Sequence, residues 1–309
     1  MKNEWCVKFS RESKPGRELA IGKRFQWGGK LRYIPSVYIC DEGLVLDICT
    51  EIERETVQRF LERWEPRIEH GLSKQEQRQL RQEQPLTRDF NCHIFVNGEQ
   101  IKNWHGSGYY WFPESLRPKT ESFHDRTEGY LEHYGLDMEK VWSFQRTYYD
   151  WPDGPQEVHS LNGLLYMDHQ DFVGEPFSMP AVGGKADILN PQTGATYTLT
   201  VREIQRESIT IPERFAEYEM PSEATVMVYT LEPDLPHELF QLMDAQEADQ
   251  ARKKDGSTYN AGSVGMMLRL PKDGSHAAVS SMRFTAPETV QWEPVFRAKT
   301  VEDIAVELL

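Results

Sequence analysis

IPSVYICDEGLVLDIC, Ile34 to Cys49, decides the fold class. β-Branched and apolar residues run from Ile34 to Cys40 and again from Leu44 to Cys49. Asp41-Glu42-Gly43 between them is a short loop with a glycine free to take positive φ. The stretch therefore predicts a hairpin of two antiparallel strands. Immediately after it, Thr50 and Glu53 form a capping-box pattern, and Val57, Phe60, Leu61, Trp64 and Ile68 recur at helical spacing. This predicts an amphipathic helix starting at Thr50, which Pro66 ends or kinks. A second capping box, Ser73 with Glu76, opens KQEQRQLRQEQ, where Leu80 is the one apolar residue before Pro85. A helix with so little apolar face is expected on the outside, in water.

Asn97-Gly98, between HIFV and EQIKNW, and Asn162-Gly163, between EVHSL and LLYMD, each carry the dipeptide that favours a two-residue hairpin turn, so two further hairpins are expected. Met138 to Tyr149 reads as another strand, with a helical turn after Asp137 at its start.

Residues 174–194 hold three prolines and four glycines in 21 positions, the composition of a connector, and place a domain boundary near residue 187. Seven of the eight tryptophans lie at or before Trp151, so domains 1–187 and 188–309 have different core chemistry. In the second, Tyr197, Leu199 and Val201 alternate with Thr198, Thr200 and Arg202. ATVMVYTL, residues 224–231, is nearly continuous, as in a strand buried on both faces. Val264 to Leu270, Ala278 to Phe284 and Val290 to Phe296 add strands, while 235–254 leaves a helix and an edge strand at FQLMD both open. The predicted class is α+β, mainly β: a β-rich N-terminal domain with an amphipathic helix, then a β-sandwich-like C-terminal domain.

SVGMMLRLPKDGSHAAVSSMRF (263–284) and VQWEPVFRAKTVEDIAVELL (290–309), with NPQTGATYTLTV (190–201) upstream, resemble a family of uncharacterised bacterial proteins. The likeness covers residues 190–309. The family has no assigned activity, so the resemblance implies a discrete C-terminal module and no catalytic residues.

Charge narrows the choice of partner. Forty-nine acidic against 35 basic residues give a formal charge of −14, which repels a phosphate backbone, so nucleic acid is not expected. No apolar run is long enough for a membrane helix and the first residues lack a signal-peptide core, which makes the expected address cytoplasmic and a membrane partner unexpected. Cys6, Cys40, Cys49 and Cys92 come singly, without CxxC spacing, so reduced thiols are expected and no structural zinc. P-loop, GxGxxG, nucleophile-elbow, HExxH and EF-hand patterns are all missing, and no cofactor is expected.

Two stretches remain as candidate sites. WHGSGYYWF, Trp104 to Phe112, packs five aromatics into nine residues around a Gly-Ser-Gly pivot. Trp104, His105, Tyr109, Tyr110 and Trp111 on such a loop suit stacking against a ligand or a partner; the alternative, which the usual burial of large aromatics favours, is a loop folded into the core. The second is the expected Asn162-Gly163 hairpin, which would pair His159 with Tyr166 and Glu157 with Asp168. Opposed carboxylates repel, so a metal, a cation or protonated His159 is one reading; carboxylates splayed into water are the other. Two functions follow. The first is a soluble binding or interaction protein using the aromatic stretch, its partner a protein or small molecule. The alternative is a metal-assisted hydrolase on Glu157, His159 and Asp168, helped by His105, His124 or His169.

Overall fold

A computed structural model describes residues 5–68, 70–86, 90–116, 124–178, 181–211, 213–215, 217–255 and 274–309. Contacts divide the chain into two units, 1–168 with 301–309, and 169–300. The fold is mainly β, as the alternating and β-branched runs predict.

In the first unit β1 (Arg17–Trp27), β2 (Lys30–Ile39) and β3 (Gly43–Ile52) form an antiparallel meander. The Ile34–Cys49 hairpin is there as read. β3 runs on through Thr50, however, and α1 spans Arg54–Ile68. Thr50 is held in the ladder opposite Ser143, and its hydroxyl accepts Arg32 Nη1 at 2.7 Å, so it caps no helix. The helix passes Pro66 by only two residues. α2 (Lys74–Glu83) has its Ser73–Glu76 capping box, and Glu83 fastens it to α1 by accepting from Trp64 Nε1 and Arg63.

β4 (Asn91–Val96) and β5 (Glu99–Ile101) form the expected hairpin, with Asn97 at φ 51° and Gly98 at 88°. β6 (Trp104–Trp111) follows, then α3 (His124–Tyr134), β7 (Val141–Asp150) and β8 (Leu161–Tyr166). One sheet has the order β1-β2-β3-β7-β6; a second runs β5-β4-β8 and ends on the strand Ile304–Glu307. The main core lies between these two sheets: Leu44, Leu46 and Ile48 of the first meet Ile94, Leu161, Leu165 and Val306 of the second. The opposite face of the first sheet is covered by α3, through Tyr130 and Leu131 against Trp142 and Phe144.

The second Asn-Gly hairpin does not form. Asn162 and Gly163 lie inside β8, opposite Phe95 and Ile94. Gly163 answers to packing rather than to a turn: a Cβ there would lie 3.2 Å from Cys92 Sγ.

In the second unit β9 (Gln170–Val173), β10 (Phe177–Ser178), β11 (Lys185–Leu189), β12 (Thr196–Ser208), β13 (Tyr218–Glu219), β14 (Glu223–Glu232), β15 (Phe240–Asp244), β16 (Arg252–Lys253), β17 (His276–Val279) and β18 (Gln291–Ala298) follow in order. Sheet β11-β12-β14-β17 and sheet β10-β18-β15, with β9 also on β18, enclose Leu199, Met227, Tyr229, Phe240, Trp292 and Phe296. Two sheets sharing one apolar core are sandwich-like. FQLMD is the edge strand β15, while the expected strand 264–270 lies outside the described residues. β9 to β11 precede or span residue 187 yet pair within this unit, and β19 (Ile304–Glu307) pairs with β8. The contact boundaries therefore fall at 168/169 and 300/301, where the sequence suggests one boundary near 187. Among the described residues, no helix is long and apolar enough to cross a membrane.

Candidate functional site

The aromatic stretch 104–111 is an edge strand rather than a loop. Among the described residues β6 pairs only with β7, in the register Trp104↔Tyr149 to Trp111↔Trp142. Alternation along a strand sends its aromatics to two faces. His105, Tyr109 and Trp111 point toward the side covered by α3. There His105 stacks on Tyr148 at 4.8 Å with the planes 4° apart, Tyr109 approaches Tyr130, and Trp111 is buried. Trp104, Gly106, Gly108 and Tyr110 point to the other side, where Trp104 is 37% exposed and the Tyr110 hydroxyl donates to the Leu86 carbonyl.

This alternation opens a small pocket. Gly108 is opposite Gln145, and with Tyr110, Phe90, Arg32 and Thr50 the two residues line a space of about 20 Å³. That is room for one water-sized group. Arg32 lies 4.4 Å over the Phe90 ring while donating to Thr50. Gln145 is 5% exposed; its Nε2 reaches Thr147 Oγ1 at 3.4 Å, and its Oε1 has no hydrogen-bond partner among the described residues. A buried carbonyl oxygen without a donor costs on the order of 1–3 kcal/mol, so an N–H or O–H entering this space would be stabilised there.

The glycine keeps that pocket open. Gly108 does not have positive φ, and a Cβ on it would meet nothing nearer than the Phe144 carbonyl at 3.8 Å. Neither backbone nor packing demands glycine here, although glycine weakens a strand by roughly 0.5–1 kcal/mol. A side chain would extend into the space before Gln145.

On the α3 side the sheet carries a second polar assembly, which sequence reading missed. Arg146 donates Nε and Nη2 to the Asp47 carboxylate at 2.7 and 2.6 Å, and its guanidinium lies 4.8 Å over Tyr130. Tyr134 donates to Asp47 at 2.5 Å and lies 2.8 Å from Tyr38, which donates to Glu18. Glu18 also accepts from Ser36 and lies 3.0 Å from His133, on whose ring Trp5 stacks at 4.8 Å. Burial is the largest influence on Tyr134, and together with the Asp47 charge it raises that hydroxyl's pKa far above a free phenol's, so it stays a donor. The assembly fastens Trp5 and α3 to the sheet. Its visible signal was a lone acid inside the apolar run LVLDIC.

The carboxylate cluster is not assembled. Glu157 and His159 approach each other at 3.6 Å, 89% and 74% exposed, at the Asn97 end of β4, where Asn97 accepts from the His159 amide and donates to the Glu157 carbonyl. Asp168 accepts from Asn91 at the other end of β4. A strand of that length separates them by about 20 Å. Tyr166 stacks on His93 instead of His159. His124 opens α3 and His169 precedes β9. Among the described residues no three His, Cys, Asp or Glu side chains could hold a metal ion.

Comparison of the chain with protein-family models, curated proteins and solved structures gives no match.

Proposed function

We propose that this chain is a soluble, cytoplasmic binding protein whose N-terminal unit takes a small molecule or a protein side chain at the inner face of β6. The observation that carries this reading is the Gln145 carbonyl, buried and without a donor among the described residues, beneath a glycine that the fold does not require. The ligand offers a neutral N–H or O–H tip. One water-sized group enters, and the rest lies against the ring of Tyr110. The charge of −14 stands against a nucleic-acid partner.

The test is a thermal-shift screen of metabolites and peptides on the whole chain, repeated with Gln145→Leu. A ligand at a hundred times its dissociation constant stabilises by about 2.7 kcal/mol. Hits that raise the wild-type transition should fail on the folded variant. Hits that bind both proteins equally place the site elsewhere and sink this reading.

A further inference from the structure

The outward edge of β6 carries a separate observation, which stands whether or not the pocket takes a ligand. Asp150 N donates to Asn103 O, and with the register Trp104↔Tyr149 this fixes the ladder. Odd-numbered residues of β6 bond to β7, and the N–H and C=O groups of Gly106 and Gly108 point away from it. Both glycines are exposed, and these outward groups have no hydrogen bond among the described residues.

Open edges are normally guarded by charge, proline or bulges. The opposite edge of the same sheet follows that rule: β1 carries Arg17, Glu18, Lys23 and Arg24, with a register shift between Ala20 and Lys23. β6, WHGSGYYW, has no Asp, Glu, Lys or Arg, no proline and an unbroken register over eight residues.

We propose that β6 pairs with β6 of a second copy of this chain, antiparallel about a two-fold axis at Ser107. A two-fold perpendicular to the sheet keeps each face continuous, so partners must share parity, and the outward amides must meet. Centring on Ser107 satisfies both conditions. Gly106 then bonds to Gly108 of the other copy twice over, with no side chain between the backbones. Trp104 lies across from Tyr110 and His105 across from Tyr109, the aromatic cross-strand pairs that stabilise sheets. Two chains of charge −14 repel each other, and this uncharged edge is where they approach at least cost. The occupant is a second copy rather than an unrelated strand because the sequence complements itself about its own centre.

Sedimentation equilibrium of the full chain tests this. The wild type should sediment at twice the chain mass at micromolar concentration, with tighter association as salt rises. Ser107 faces its own copy across the axis, so Ser107→Glu and Ser107→Lys should each give the single-chain mass, and an equimolar mixture should recover the double mass. Gly108→Pro, which removes an outward N–H that β7 does not use, should also give folded single chains, confirmed by circular dichroism. A single-chain mass for the wild type overturns the proposal, as does a double mass retained by all three variants.

Discussion

Arg146→Met is the most informative substitution for the architecture of the first unit. It removes both guanidinium bonds from Asp47, whose side chain is 2% exposed, and leaves the carboxylate, among the described residues, only the Tyr134 hydroxyl. Breaking a buried ion pair from one side costs about 3–5 kcal/mol, because the remaining charge stays buried without its counter-ion. Loss of the cation from the face of Tyr130, 4.8 Å away, works in the same direction. The expected loss is therefore about 4 kcal/mol, a large part of the roughly 5–15 kcal/mol that keeps a domain folded. Asp47→Asn/Arg146→Met keeps an acceptor for Tyr134 and removes both charges. It should regain at least about 2 kcal/mol of that loss, since neutral replacements of buried pairs are well tolerated. Urea denaturation followed by tryptophan fluorescence suits the assay, because seven of the eight tryptophans lie at or before Trp151 and report on this unit. A loss below about 1 kcal/mol for Arg146→Met, or a double variant no better than the single, would refute the reasoning.

Three further outcomes are expected. Cys92 is pushed up to about 12 by burial, and Cys40 and Cys49 are raised by burial as well, while Cys6 is exposed. A thiol-specific reagent at mildly alkaline pH should label one cysteine in the native chain and all four after unfolding. Burial pushes the Glu18 carboxyl upward, but hydrogen bonds from Ser36, His133 and Tyr38 and the His133 charge outweigh it and hold the group below its usual 4.5. Its contribution to stability is thus present above pH 4.5 and lost as pH falls through the lowered value, so Glu18→Gln should flatten the acid limb of a melting-temperature profile. Gly163→Ala should cost about 1–3 kcal/mol through crowding against Cys92, whereas Gly108→Ala should fold as well as wild type or slightly better. Equal effects from the two glycines would contradict the packing described for both.

How much was legible in the sequence depended on the range of the interaction. The β2–β3 hairpin, the Asn97-Gly98 turn, the capping box at Ser73 and the alternating strand β12 are set by neighbouring residues, and periodicity exposes them. Asn162-Gly163 has the same dipeptide as Asn97-Gly98 but a different cause. Its glycine makes room for Cys92, which lies 71 positions away, and no local pattern separates a turn from a close approach. The final strand eluded reading for a related reason: Ile304–Glu307 follows the second unit in sequence and completes a sheet of the first. Trp104–Trp111 was legible as an unusual stretch and not as an edge strand, because its face assignment depends on pairing with β7. The pocket at Gln145 needs four strands side by side before it exists.

The binding site at Gln145 is the central claim, and crystals of the chain soaked with acetamide and methanol test it most directly. Each probe has a neutral donor small enough for the space beneath Gly108. The account predicts density for a probe within hydrogen-bond reach of Gln145 Oε1, lost in Gln145→Leu crystals. Gln145 Oε1 paired to a donor of the protein itself, with the probes found only elsewhere on the surface, would contradict it.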